Sequence, residues 1–253
     1  MLKSALFSSL FVLSVSLYGQ LDGSFVPQAP YSQEYSSLMA DLSKSFSEEL
    51  PVVNFTEDNT WKQWTIVENY AFGKDRGNLP MIADLDALHP YFRDKVTKLI
   101  AVCKTRGIQL AVVESYRTHA KQNEYKAMGN KYTRTAGGRS KHQYGLAIDV
   151  VPVIDSVAQW DNARLWRKVG LIGEQLGLRW GGRWKSLYDP GHFEWTGGLS
   201  SYHLAAGHWP IIPKANNYPC LEEELAQLTE YWKFWEVEQS SITRKETAGR
   251  KMN

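Results

Sequence analysis

Two short stretches hold the residues with the most evident chemistry: Ser140-Lys141-His142-Gln143-Tyr144-Gly145-Leu146-Ala147-Ile148-Asp149, and Asp189-Pro190-Gly191-His192-Phe193-Glu194-Trp195. His142 and His192 bring two imidazoles, Asp149 and Asp189 two carboxylates. Residues 146–151 read as a short buried strand, which would put Asp149 on a rigid element and hang His142 from the loop that feeds it. His192 begins a second short strand. Asp189-Pro190-Gly191-His192 fits a type II turn, with Pro second and Gly third, where a positive φ is needed. The first and last residues of such a turn lie within about 7 Å of each other, so a carboxylate is expected beside an imidazole.

A catalytic zinc ion takes three nitrogen or oxygen ligands and keeps a fourth position for water. His142, Asp149 and His192 supply such a set. Asp189 is then next to the metal without being needed on it, which is the place for a general base. A single His or Asp in a strand is ordinarily just a satisfied polar residue, so the weight rests on the joint pattern, with Gly145 relieving crowding in the first stretch. Two His and one carboxylate also make the facial triad of non-haem iron oxygenases. His142 and Asp149 stand seven positions apart, wider than that triad's usual pair on one strand, and iron remains the minor alternative.

The pattern Ser-x-His-x-x-Gly-x-Ala-x-Asp followed by Asp-x-x-His resembles the zinc D-Ala-D-Ala carboxypeptidases of the vancomycin-resistance type and the related phage endolysins that cut L-alanyl-D-glutamate bonds, which share a hedgehog-type fold. The resemblance spans residues 85–198. It implies zinc on His142, Asp149 and His192, with Asp189 as base. Members carry a similar Tyr-Arg-Ser/Thr followed by Gln, matched by Arg117 and Gln122, and it implies that Arg117 faces the zinc and holds the substrate carbonyl oxygen. Without it, Arg117 would read as a salt-bridged or solvated cation. The stretch Trp180-Gly181-Gly182-Arg183-Trp184 resembles the lead-in of the endolysin branch; both Trp side chains read more readily as wall packing than as sugar platforms. Gln122, Ser140, Tyr144 and Trp184 complete the candidates for substrate contact.

These residues need a scaffold. Pro90 opens a helix whose Phe92, Val96, Leu99, Ile100 and Cys103 share a face, stopped by Gly107. Residues 108–113 read as a central strand delivering Glu114-Ser115-Tyr116-Arg117. Thr118 caps a helix running to Met128, and the polar stretch 130–141 reads as a rim loop over the cleft. Leu165, Val169, Ile172 and Leu176 mark another helix, closed by Gly177. Short strands alternating irregularly with helices favour an α+β domain, with a small, mostly antiparallel sheet carrying the zinc site between flanking helices. Helical extensions are expected at both ends. Leu38, Leu42 and Phe46 recur at helical spacing over residues 36–50, and Leu221, Leu225, Leu228, Trp232 and Trp235 mark a C-terminal helix. The tail after Gln239 is polar and expected to fray.

Residues 1–19 have one cation, then a mostly apolar run, and read as a secretory signal; an uncleaved anchor is the runner-up, the thirteen-residue run being short for a span of about twenty. The expected division is therefore a signal at 1–19, an N-terminal extension at 20–84, a zinc peptidase domain at 85–198 and a C-terminal extension at 199–253. The body is expected to be exported to the periplasm or cell envelope, as a monomer without stable membrane insertion. A net charge of +2 over 253 residues is too small to imply a nucleic-acid partner. Ten Trp and thirteen Tyr suit sugars as well as cores. Cys103 and Cys220 leave one disulfide open in an exported chain. His89, His119, His203 and His208 lack a partner at ligand spacing, although His119 is close enough to Arg117 to line the cleft.

The function implied is hydrolysis of an amide in peptidoglycan stem peptides. Asp189 would take the proton of the attacking water and return it to the departing amine, with zinc and Arg117 holding the oxyanion. Asp in place of the carboxypeptidases' Glu, together with the Trp-Gly-Gly-x-Trp lead-in, favours an L-alanyl-D-glutamate endopeptidase. A D,D- or L,D-carboxypeptidase is the alternative, with Arg139 or Arg183 to hold a terminal carboxylate. A non-catalytic, zinc-stabilised wall-binding module is the alternative from another class.

Overall fold

A computed structural model describes residues 76–251, apart from residues 131 and 215. The expected signal at 1–19 and the helix at 36–50 lie outside the described residues. Helix α1 (Pro90–Thr105) starts at Pro90, whose missing N–H costs nothing in a first turn, and buries Phe92, Val96, Leu99 and Cys103. It leads to β1 (Gln109–Glu114) and then α2 (His119–Ala127), capped by Thr118, whose hydroxyl accepts from the Lys121 N–H at 3.0 Å. Next come β2 (Ala147–Ile154), β3 (Val157–Ala158), α3 (Ala163–Gln175), β4 (Arg179–Trp180) and β5 (His192–Glu194). Asn162 caps α3 through the Leu165 N–H. The short α4 (Ser201–Ala205) and the long α5 (Leu221–Lys251) follow.

All strand pairings are antiparallel in the order β1-β2-β5-β4, with β3 also on β2, so the fold is α+β with a small antiparallel sheet between helices. The apolar side chains of α1 and α3 pack with those of β1 and β2 in one core cluster, closed by Phe193 and Trp180. Strand β2, not β1, is central. The run Leu110–Val113 looked central because it is buried along its whole length, but that burial comes from packing against helices, while β1 is the edge of the sheet.

The polar stretch after Gln239 is helical, as α5 continues to Lys251. Gln239 is fully buried, donating to Pro80 O at 2.9 Å and accepting from Thr118 Oγ1 at 2.6 Å. A polar residue with its hydrogen bonds met inside the protein anchors a helix as an apolar one does. Upstream, Leu228 and Trp232 join Ile82, Ala87 and Tyr116 in a second apolar cluster. Trp232 stacks on Tyr116 at 5.1 Å and donates from its indole N–H to Ala87 O at 2.9 Å. Cys103 and Cys220 are both free thiols: the first faces the core, the second is exposed at the threshold of α5. Burial pushes the Cys103 thiol far up. Among the described residues no helix is long and apolar enough to cross a membrane.

Candidate active site

Strand register builds the site. Asp149 on β2 lies opposite His192 on β5 and, on its other side, opposite Glu114 at the end of β1. Directly opposed residues project to the same face, so the three form a cross-strand row. Glu114 reaches that row only because the register of β1 slips between Val112 and Glu114. Without this bulge, strict alternation would turn Glu114 to the other face. His142 enters from a single 3-10 turn, Lys141–Tyr144, which ends at Gly145 with φ of 59°. A Cβ at Gly145 would meet Ala87 O at 2.7 Å, so this turn needs glycine both for its backbone angle and for the close approach.

His142 Nε2 lies 3.5 Å and His192 Nδ1 2.9 Å from the same oxygen, Asp149 Oδ1, and the two imidazole centroids are 5.2 Å apart. His142, Asp149 and His192 each offer a ligand atom, all within 4.8 Å of one another. His142 Nδ1 is buried without a partner. Burial pushes the Asp149 carboxyl up, yet His142 and His192 outweigh it and hold it well below the usual carboxylate range. Burial likewise opposes charge on His192, but hydrogen bonds to Asp149 and Glu194 push its imidazole up to about 10. Closely spaced nitrogen and oxygen donors that otherwise share protons are what a divalent metal displaces protons from, so these residues fit such an ion.

Asp189 is exposed at the neighbouring turn, which is closed by the His192 N–H donating to Asp189 O at 3.2 Å. The turn is not of the expected type II, because Gly191 has no positive φ. Glycine is needed there for a different reason. A Cβ at 191 would stand 2.8 Å from Val150 O, where the turn lies against β2 and Gly191 O accepts from the Val150 N–H at 3.0 Å.

Arg117 is held from below. Its Nε donates to Glu114 Oε2 at 2.9 Å, Nη2 binds the same oxygen, and Nη1 donates to Gln122 Oε1 at 3.1 Å. Nη2 also lies 3.8 Å from Asp149 Oδ2, which sets the guanidinium at the edge of the row. Gln122 is fully buried, and its amide donates to Thr133 and Thr135, so it reaches the site through Arg117 and does not face the cleft. Ser140 is buried at the start of the His142 turn, where its N–H donates to Gln143 Oε1 at 3.2 Å. Tyr144 donates to Gly138 O at 2.7 Å, tying the turn to the rim loop. Trp184 is half-buried, its ring 5.0 Å from that of His192, whereas Trp180 is core. His119 turns away to α5, with Nδ1 2.9 Å from Glu236.

Two carboxylates escaped the reading of the sequence. Glu114 clamps Arg117. Glu194, also buried, lies 3.3 Å from His192 Nε2 and pairs with Lys141 and Arg179. Burial would raise it, but His192 and the two cations hold it at about 2. Strand alternation was the available signal, since residues 192 and 194 of one strand share a face.

A D-alanyl-D-alanine carboxypeptidase family model matches residues 133–195. The peptidoglycan L-alanyl-D-glutamate endopeptidase CwlK of Bacillus subtilis (strain 168) is 34% identical over 131 residues, covering 46% of this chain and 77% of CwlK. The crystal structure of the Serratia marcescens L-Ala D-Glu endopeptidase ChiX aligns at 27% identity and a TM-score of 0.39, over 44% of this chain and 83% of that one. Because so much of CwlK is covered at that identity, the chain belongs to this family of metal-dependent peptidases.

Proposed function

We propose that the protein is a zinc endopeptidase that acts on peptidoglycan stem peptides outside the cytoplasm, at the L-alanyl-D-glutamate bond. The observation that carries this reading is the convergence of His142, Asp149 and His192 on one sheet face, with exposed Asp189 at the adjoining turn. His142, Asp149 and His192 would hold the ion. When bound, zinc supplies Lewis-acid polarisation and a lowered pKa for water. Asp189 takes the proton of the attacking water and passes it to the departing amine. Arg117, kept in place by Glu114 and Gln122, offers its charge to the oxyanion, where such a donor is worth about 10²- to 10³-fold in rate. Trp184 walls the cleft beside His192.

The choice of bond follows CwlK, whose name states that activity. A second reading, trimming of a terminal D-alanine, draws on the description of the matching family model. It needs a cation for the substrate's terminal carboxylate. Arg183 is engaged by Glu174 at 2.9 and 3.0 Å, which leaves exposed Arg139. Residues 1–19 serve as export signal and 85–198 as catalytic domain in this reading, with the body a monomer in the periplasm or cell envelope.

Mass spectrometry of digested muropeptides is the test. The endopeptidase frees a peptide from the sugar-bound alanine, whereas loss of D-alanine alone would replace it with the carboxypeptidase. Asp189→Ala should retain metal and fold while losing about 10² to 10⁴ in kcat. Wild-type protein that binds sacculi and releases nothing would leave only a wall-binding module.

A further inference from the structure

The two histidines of the site are supported unequally. His192 turns Nδ1 toward Asp149, and behind it Glu194 lies 3.3 Å from Nε2. His142 turns Nε2 toward Asp149, but its Nδ1 is buried with no hydrogen-bond partner among the described residues. A metal-ligating imidazole is ordinarily aimed by a hydrogen bond to its other nitrogen. Without one, the aim of His142 depends on the backbone of its own turn, Lys141–Tyr144, and on the contacts that hold that turn in place.

One end of the turn is held locally. Gln143 Oε1 accepts from the N–H groups of Gly138 at 2.8 Å and Ser140 at 3.2 Å, and Tyr144 donates to Gly138 O. The other end, Gly145, is held from afar. Gly145 O accepts from the His89 N–H at 2.9 Å. A Cβ at Gly145 would stand 2.9 Å from His89 N and 2.9 Å from Trp232 Cζ2, besides its clash with Ala87 O, so this glycine is seated between segment 87–89 and the indole of α5 with no room to spare. The same indole closes the seat by donating to Ala87 O. Trp232 is itself fixed. It is buried and stacked on Tyr116 at an interplanar angle of 10°, and α5 is pinned further along by Gln239 against Pro80 and Thr118. The turn lies inside the 133–195 family match and Trp232 outside it, so a residue of the C-terminal extension packs directly on the segment that carries His142.

We propose that Trp232 is a positioning residue for the metal: from the C-terminal helix it seats the Gly145 end of the turn and so aims His142 at the ion. The proposal rests on His142 being a metal ligand, and its test keeps the two apart. Zinc affinity of the full chain is measured by chelator competition for the wild type, Trp232→Phe and Leu99→Ala. Trp232→Phe keeps a ring against Tyr116 but loses the indole N–H and the edge that covers Gly145. It should weaken zinc binding about 10-fold, the low end for a group that orients a ligand. The visible absorption bands of the cobalt(II)-loaded protein, which read ligand geometry, should shift in the same variant. Leu99→Ala opens a cavity in the main core and should destabilise the fold while leaving zinc affinity and cobalt bands unchanged. Coupling is reciprocal, so in the wild type zinc should slow amide hydrogen exchange over residues 225–235 of α5, a measurement that stands should Trp232→Phe fail to fold. Unchanged affinity and bands in Trp232→Phe, an equal loss in Leu99→Ala, or exchange over 225–235 that does not respond to zinc would each overturn the proposal. A wild type that takes up no zinc would instead remove the metal reading, and the proposal with it.

Discussion

His192 and His89 are both withdrawn from water, at 8% and 0% exposure, yet their imidazoles move in opposite directions. His192 sits in the cross-strand row between Asp149 and Glu194, and despite burial its pKa rises to about 10. His89 stands before α1, with its ring 5.6 Å from Trp195 and 5.8 Å from Trp209, and neither ring nitrogen has a partner. Burial, with Arg93 nearby, lowers it to about 4. Desolvation is common to both; the carboxylates within reach decide the outcome. One face of the molecule is thus a charged row of paired carboxylates and imidazoles, from which a metal would displace protons. The seam beneath α5 is aromatic and tolerates an imidazole only while it is neutral.

Breaking the paired network should give the largest effect. Arg117→Ala would strand Glu114, which is 1% exposed, and should cost about 3–5 kcal/mol in denaturant unfolding. Adding Glu114→Gln should recover part of that loss. No recovery would mean that Arg117 stabilises by packing, not by pairing.

The aromatic seam is tested by acid. His89 is the lowered case: the unfolded chain takes up its proton near pH 6.5, the folded one only near 4. Its contribution is therefore complete above 6.5 and lost as pH falls from 6.5 to about 4, up to about 3 kcal/mol in all. Unfolding free energies across that window should show the loss, and His89→Leu should flatten it; an equal slope in the variant would assign the acid sensitivity elsewhere.

The smallest effect sharpens the comparison at His192 itself. Glu194→Gln keeps the shape beside Nε2 but removes the charge, and should lower metal affinity about 10- to 100-fold in chelator competition. Unaltered affinity would mean that Asp149 alone orients the imidazole.

Much of this was legible in the sequence because it is local. Pro90, Thr118 and Gly177 punctuate helices through their own backbone chemistry, and apolar spacing at 92, 96, 99 and 103 marks a buried face wherever the helix lies. The Asp189–His192 turn was legible as a turn, though its glycine answers to Val150 O across the sheet and not to its own φ. What escaped is relational. Glu114 joins the row through a bulge that becomes visible only once β1 is paired with β2. Gln239 looked like the start of a loose tail, since nothing near it in sequence announces Pro80 and Thr118 as partners.

The chain by itself determined the residue types at the site, the turns that carry them and the amphipathic helices that back the sheet, because each depends on side-chain chemistry within a few residues. Only the tertiary structure decided which carboxylate meets which imidazole. Register across β1, β2 and β5 sets those distances, and a one-residue slip would send each side chain to the opposite face.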